Sequence, residues 1–351
     1  MLSQELKPNK SIALWLIFLA FLVLMMIVIG GITRLTDSGL SIVEWKPIAG
    51  ILPPLTLSDW ESLFAKYQTS PEFIKLHPLM NLDEFKSIFW WEYIHRVLGR
   101  VIGIVFLLPF LYFLMRKKIT KSLVPHLLIM FILGGLQGYM GWYMVKSGLA
   151  DDPYVSPIRL MLHLGLALVI YGYMLVIAIK ILKPDIVVDK ISAKKLRIKT
   201  HIMLMMIGLT ILSGALVAGL DAGLVYNTFP LMEGQWIPHD YAVQSPFYVN
   251  LFRNMAAVQF NHRFLAIFTF VFIVYFWVKS FNLVLPKSLK MLCHLLMFVA
   301  LLQVVLGILT LLLAVPLTLA ILHQLNAIVL FTIGIILFVL IPKRSLYVEK
   351  S

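Results

Sequence analysis

Glu92, His95 and Arg96 fall together in Trp90-Trp91-Glu92-Tyr93-Ile94-His95-Arg96-Val97-Leu98-Gly99-Arg100, at the mouth of a long apolar run. A shorter version, Gln259-Phe260-Asn261-His262-Arg263, opens another run, and His163 and His323 lie near the starts of two more. Neutral imidazole is a metal ligand, a carboxyl group can move a proton, and a guanidinium holds anions. Glu92 stands three residues before His95, which puts both on one helix face with Cβ atoms about 5–6 Å apart. Gln259 holds the same place before His262 and cannot exchange a proton.

The elements that must position these groups are membrane helices. The chain has 351 residues, 60% hydrophobic and 13% charged, with mean hydropathy +0.91. Soluble chains carry about a quarter charged residues. Apolar runs fall near 11–31, 89–114, 122–145, 158–180, 200–220, 257–278, 289–313 and 317–341. Each approaches or exceeds the roughly 20 residues needed to cross the hydrocarbon core. The first run is long and no small-residue cleavage site clearly follows it, so it is expected to remain as a spanning helix. The single cysteine, Cys293, excludes a disulfide framework, a Cys-rich zinc site, an iron–sulfur cluster and covalent c-type haem attachment. Neither a P-loop nor a dinucleotide-binding glycine pattern is present.

Charge orients the runs. The N-terminus, the links near 115–121, 180–199 and 279–290, and the C-terminus hold 19 of the 30 Lys and Arg and 4 of the 17 Asp and Glu, a net of +15. The opposite side holds the remaining 11 and 13, a net of −2. By the positive-inside rule both termini are expected in the cytoplasm. The clusters Arg116-Lys117-Lys118 and Lys194-Lys195-Leu196-Arg197 are topology signals and contacts for anionic lipid, so the overall charge of +13 does not imply nucleic acid. Two outer loops are long, 32–88 and 221–256, and the first has room for short amphipathic helices near 58–88.

The chain reads as a duplication. Gly30 matches Gly214, and Asp37-Ser38-Gly39-Leu40 matches Asp221-Ala222-Gly223-Leu224. His95-Arg96 matches His262-Arg263, Leu136-Gln137 with Gly141 matches Leu302-Gln303 with Gly307, and Leu162-His163 matches Leu322-His323. The expected fold is an all-α integral membrane protein of eight helices. Two tandem four-helix bundles, 1–181 and 182–351, would be related by a pseudo-two-fold axis along the membrane normal.

The second, fourth, sixth and eighth runs all pass from outside to inside. Their histidines lie about five to seven residues from the outer starts, roughly 8–10 Å deep at 1.5 Å per residue. Ionisable residues at such depth usually mark function, and four-helix bundles commonly hold haem between facing histidines. Paired ligation of two haem irons, by His95 with His163 and by His262 with His323, accounts for the layer; the alternative is four separate core histidines, each hydrogen-bonded to a neighbour. A bare divalent ion would want carboxylates or more histidines. His126, His201 and His294 lie at cytoplasmic starts of runs and read as interfacial anchors. His77 and His239 belong to the outer loops, where they anchor the loop or sit near a ligand.

The halves differ. Glu92, a carboxyl group near the membrane boundary, suits proton transfer or charge stabilisation; the alternative is a plain ion pair with Arg96 at i+4. Arg96 and Arg263 either meet haem propionates or snorkel to headgroups. Arg100 is matched by Ile267. Gly134, Gly135, Gly138 and Gly141 in the third run make close helix packing the simpler expectation and room for a bulky substrate the other.

With Glu-x-x-His-Arg in the second run, His-Arg in the sixth, Leu-His in the fourth and eighth, and two repeats over residues 11–341, the sequence resembles the haem A synthase family. Glu44-Trp45-Lys46-Pro47 in the long first loop is similar to the proteobacterial and mitochondrial branch. That branch implies the bacterial cytoplasmic membrane. Some family members carry cysteine pairs in the outer loops and this chain has none, so no role for such a disulfide carries over. The resemblance implies oxidation of the C8 methyl of haem O to a formyl group, giving haem A, by two hydroxylations and loss of water. It also implies one half for haem O and one for a permanent haem b. The Glu92/Gln259 difference puts the substrate between His95 and His163 and haem b on His262 and His323. Partners implied are haem O synthase and an electron-transfer protein; a monomer and a homo-oligomer both remain open. A di-haem cytochrome working between quinone and a partner is the alternative, but it usually stacks its haems across the membrane, with two histidines per helix. A transporter would break its helices at the midplane.

Overall fold

The computed structural model describes residues 9–45, 50–150, 153–182, 188 and 190–341; side chains at 190, 191 and 193 are excepted. Lys46 and Pro47 of the first-loop motif, and both chain ends invoked for topology, lie outside the described residues.

Polar caps and apolar faces together set the helices. Asn9 accepts from the amide of Ile12 and starts α1 (Lys10–Leu35). In the first long loop, a Thr56/Asp59 capping box starts α2 (Leu57–Tyr67), and Ser70 with Pro71 starts α3 (Pro71–Leu76). A second capping box, Asn81/Glu84, starts α4 (Leu82–Met115). There follow α5 (Val124–Gly148), α6 (Pro157–Leu182) and α7 (Lys190–Gly219). Then come the short α8 (Asn250–Arg253), α9 (Met255–Phe281), α10 (Lys287–Leu312) and α11 (Leu317–Leu340). Eight of these, α1, α4 to α7 and α9 to α11, are long and apolar enough to span a membrane, and the described residues contain no strand. Two helices begin earlier than their apolar runs. α4 starts seven residues before position 89, because its capping box and the burial of Phe85 and Phe89 stabilise a polar first turn. α7 starts ten residues before position 200, with a basic extension ahead of its apolar part, Lys194–Gly219.

In the first half α1 packs on α4 and α6, and α5 joins α4 to α6; in the second, α7 packs on α9 and α11, and α10 joins α9 to α11. The scheme is the same in both, as a two-fold relation requires. Each half has its own core. One gathers Trp15, Leu16, Leu19, Met130 and Tyr171; the other gathers Met203, Phe276, Leu289 and Leu296. The halves meet through α1 and α6 against α7 and α11, with Tyr171 Oη and Thr332 Oγ1 at 2.7 Å. The matched residues Asp37 and Asp221 are both left-handed, with φ of 49° and 52°. Both end a helix this way, and Arg34 donates to each, at 2.9 and 2.7 Å.

The two long loops are unequal. The one over 32–88 packs on an aromatic cluster of Tyr67, Phe85 and Phe89, backed by Trp60, Phe64, Phe73 and Tyr93. The one over 221–256 packs only Tyr226, Met232 and Ala256, with Phe260 beside them.

Candidate functional site

Each of the four layer histidines faces a glycine on the preceding spanning helix. A Cβ built on Gly30, Gly141, Gly214 or Gly307 would lie 3.1, 3.2, 3.2 or 2.8 Å from Cε1 of His95, His163, His262 or His323. Those distances are at or below the limit of ordinary contact, so the rings can occupy these places only because the side chain opposite is missing. His95 and His163 are close enough to interact electrostatically, and so are His262 and His323.

Polar support of the rings differs between halves. Ser213 Oγ lies 2.8 Å from His262 Nδ1 and donates to the Thr210 carbonyl, also at 2.8 Å. The amides of Gln137 and Gln303 donate to the carbonyls of His163 and His323, each at 3.1 Å, and lie 3.1–3.3 Å from their ring nitrogens. Asn326 holds Gln303 from behind, donating to its Oε1 at 2.8 Å. In the first half, His95 Nδ1 and Gln137 Oε1 are buried without a hydrogen-bond partner among the described residues. Such orphaned groups cost roughly 1–3 kcal/mol each.

Glu92 is buried, at 3% exposure. Its Oε1 accepts from Arg96 at 2.6 Å; its Oε2 accepts from Ser41 Oγ at 2.7 Å and from the amide of Ile42 at 2.8 Å. The ion pair with Arg96 expected as one alternative is therefore present, and it is part of a larger clamp. Arg96 also donates to the carbonyls of Ile42 and Glu44 at 2.9 and 3.1 Å, with its guanidinium over the ring of Trp45. The second half repeats the device with opposite polarity. Gln259 donates to the carbonyls of Ala222 and Tyr226, at 2.8 and 3.3 Å, and accepts from Arg263. Arg263 donates to the carbonyls of Tyr226 and Thr228 at 2.6 and 2.8 Å. Both guanidiniums thus turn to loop backbone rather than outward to headgroups, leaving Arg263 Nε buried without a partner among the described residues.

The remaining histidines have local partners. His126 meets Tyr173 Oη, His201 the Arg197 carbonyl, and His294 the indole N–H of Trp277. His239 contacts Gln235, and the His77 amide caps α3. In the first loop, Tyr67 Oη donates to Glu72 at 3.1 Å. Burial pushes the Glu72 carboxyl up to about 8 and raises the phenol of Tyr67 too.

Of the α5 glycines, Gly141 packs closely, against His163, while Gly134, Gly135 and Gly138 do not pack as expected. A Cβ on Gly134, Gly135 or Gly138 would meet nothing within 4 Å. α4 touches α5 only sparingly, whereas α9 and α10 lie closely together. The first bundle is the more open one. Among the described residues no three His, Cys, Asp or Glu stand close enough to hold a metal ion. Paired imidazoles on facing helices, each with room made by a glycine, suit haem iron instead.

A family model described as "Cytochrome oxidase assembly protein", COX15-CtaA, matches residues 13–335. The chain belongs to the COX15-CtaA family. Curated relatives named "Heme A synthase" include that of Nitrosospira multiformis, 50% identical over 330 residues, covering 94% of this chain and 93% of that one. The Nitrosomonas eutropha protein is 51% identical over 326 residues, 92% of each chain. That of Paramagnetospirillum magneticum is 46% identical over 336 residues, 93% of this chain and 92% of its own. The resemblance seen in the sequence is thereby borne out, with relatives of proteobacterial type. Within this COX15-CtaA chain, sequence reasoning assigned no role to Ser41, Ser213 or Asn326. The last two are polar residues within apolar runs, with no polar counterpart at the matching places of the other half, and that was the available signal.

Proposed function

We propose that the chain is a haem A synthase: a multi-pass oxidoreductase, acting on a CH group, that oxidises the C8 methyl of haem O to a formyl group. Haem O is held in the first half, residues 1–181, with His95 and His163 as iron ligands. His262 and His323 hold haem b in the second half, residues 182–351. When bound, haem b supplies a one-electron carrier. Both termini are cytoplasmic and the histidine layer faces the outer side of the bacterial cytoplasmic membrane. Haem O synthase and an electron-transfer protein are the partners this chemistry requires.

What chiefly supports the reading is one contrast. Two like histidine pairs occur on one scaffold, and only the first stands beside an ionisable acid and an open helix–helix side. The imidazoles of His95 and His163 fix the substrate plane. Oxidising the methyl with oxygen taken from water develops positive charge at the ring edge, releases protons and passes the electrons to the electron-transfer partner. Glu92, one turn from His95, stabilises that charge and receives a proton. The clamp on Ser41, Ile42 and Arg96 keeps the first loop over the site while this happens. Arg96 and Arg263 would be the propionate partners; in support, Arg263 Nε is buried without a partner among the described residues.

The test is to express the chain beside a haem O source, purify it, extract its pigments and identify them by mass. Haem A or O beside haem B is the expected result. Haem B alone would overturn the assignment in favour of a di-haem cytochrome.

A further inference from the structure

Aligning the halves through their glycine–histidine contacts puts Ile29 opposite Ser213, since each precedes the glycine that faces a histidine. It likewise puts Leu166 opposite Asn326, each three residues after a histidine. Both polar members fall in the second half and both apolar members in the first.

The polar pair has a specific effect. Ser213 has one proton, and it is directed to the Thr210 carbonyl. The lone pairs of its oxygen are then left to accept Nδ1–H from His262. This selects the tautomer with Nε2 unprotonated, which is the form that binds iron. Asn326 donates to Gln303 Oε1 and to the Val299 carbonyl at 3.0 Å. That fixes the Gln303 amide with its NH2 end toward His323, where it donates to the His323 carbonyl at 3.1 Å and holds the backbone that carries the ring. In the first half no side chain selects the tautomer of His95, whose Nδ1 is unpartnered, or orients the amide of Gln137, whose Oε1 is unpartnered among the described residues.

We infer that Ser213 and Asn326 are positioning residues that lock His262 and His323 as permanent axial ligands, while Ile29 and Leu166 leave His95 and His163 free to exchange one ligated porphyrin for another. The inference rests on the proposed haem b site and explains how one scaffold gives one resident and one exchanging site. Hydrogen-bonded partners of metal-ligating histidines typically change affinity 10- to 100-fold. An Nδ1–H donated to oxygen also makes Nε2 more basic, which favours the ferric state.

The experiment follows haem b leaving the purified full-length protein for excess apomyoglobin, with a redox titration of the same samples. Ser213→Ala and Asn326→Leu are each expected to raise the loss rate about 10- to 100-fold. Ser213→Ala should also raise the midpoint potential, and Ser213→Thr, which keeps the hydroxyl, should restore both. Conversely, Ile29→Ser with Leu166→Asn should make product stay on the enzyme, so that more haem A is purified per chain. Unchanged loss rates and potential in Ser213→Ala and Asn326→Leu, or unchanged haem A retention in the reverse pair, overturn the inference. Should His262→Ala itself retain haem b, the underlying site assignment fails instead.

Discussion

The two halves share a helix scheme, a glycine behind every layer histidine and an arginine that ties down the loop above. They differ in the group beside that arginine, in the polar atoms behind the imidazoles and in how closely two helices meet. The second half is the tighter one: Ser213 and Asn326 complete the hydrogen bonds behind its imidazoles, Gln259 is neutral, and α9 and α10 pack together. Its counterpart has Glu92, two unpartnered polar atoms and a loosely joined α4 and α5. Duplication thus supplies two binding frames, and a few side chains decide which frame holds and which one turns over.

Glu92 offers the largest effect. Glu92→Gln should leave haem b in place yet lower haem A formation by roughly 10²–10⁴, the usual range for loss of an acid–base group. The substitution also sets an amide N–H against Ser41 and Ile42, both donors. Ser41→Ala controls for this: it loosens the clamp, keeps the carboxylate, and should change haem A formation only several-fold. Haem A measured in cells with a haem O source decides. Near-normal haem A in Glu92→Gln would reduce Glu92 to a loop anchor.

The glycines sharpen the comparison next. Gly307→Ala forces a Cβ to 2.8 Å from His323, and such overpacking costs about 1–3 kcal/mol. Haem b occupancy should fall by roughly 5- to 150-fold in the governing affinity. Gly30→Ala, at 3.1 Å from His95, should spare haem b and slow haem A formation. The low-spin haem spectrum and pigment analysis report the two effects separately.

The sequence made the frame visible and left the differences obscure. Eight apolar runs, paired motifs and a histidine layer are periodic signals, and they survive as helices α1, α4 to α7 and α9 to α11. The early start of α4 was hidden because hydropathy ignores the Asn81/Glu84 capping box. The loop clamp was hidden because Arg96, Gln259 and Arg263 bond mostly to backbone carbonyls, which any residue provides. Packing along α5 was misread because small residues permit close approach without requiring it.

The smallest effect lies in the first long loop. The Glu72 carboxyl, raised to about 8 in the folded chain, binds more protons there than in the unfolded chain. Its contribution to folding is therefore full at acidic pH and is lost as pH rises toward about 8. Hydrogen exchange across 57–76 should quicken over that interval while haem b absorbance stays constant. Glu72→Gln should flatten the response. A first loop equally protected at pH 6 and pH 9 in the parent protein would remove Glu72 from the account.

The central claim is that the first pair of histidines holds substrate and the second holds haem b. Its most direct test is pigment content in two double variants purified from cells making haem O. His95→Ala with His163→Ala should carry haem b and neither haem O nor haem A. His262→Ala with His323→Ala should lack haem b. Haem b lost from the first variant and kept in the second would contradict the assignment outright.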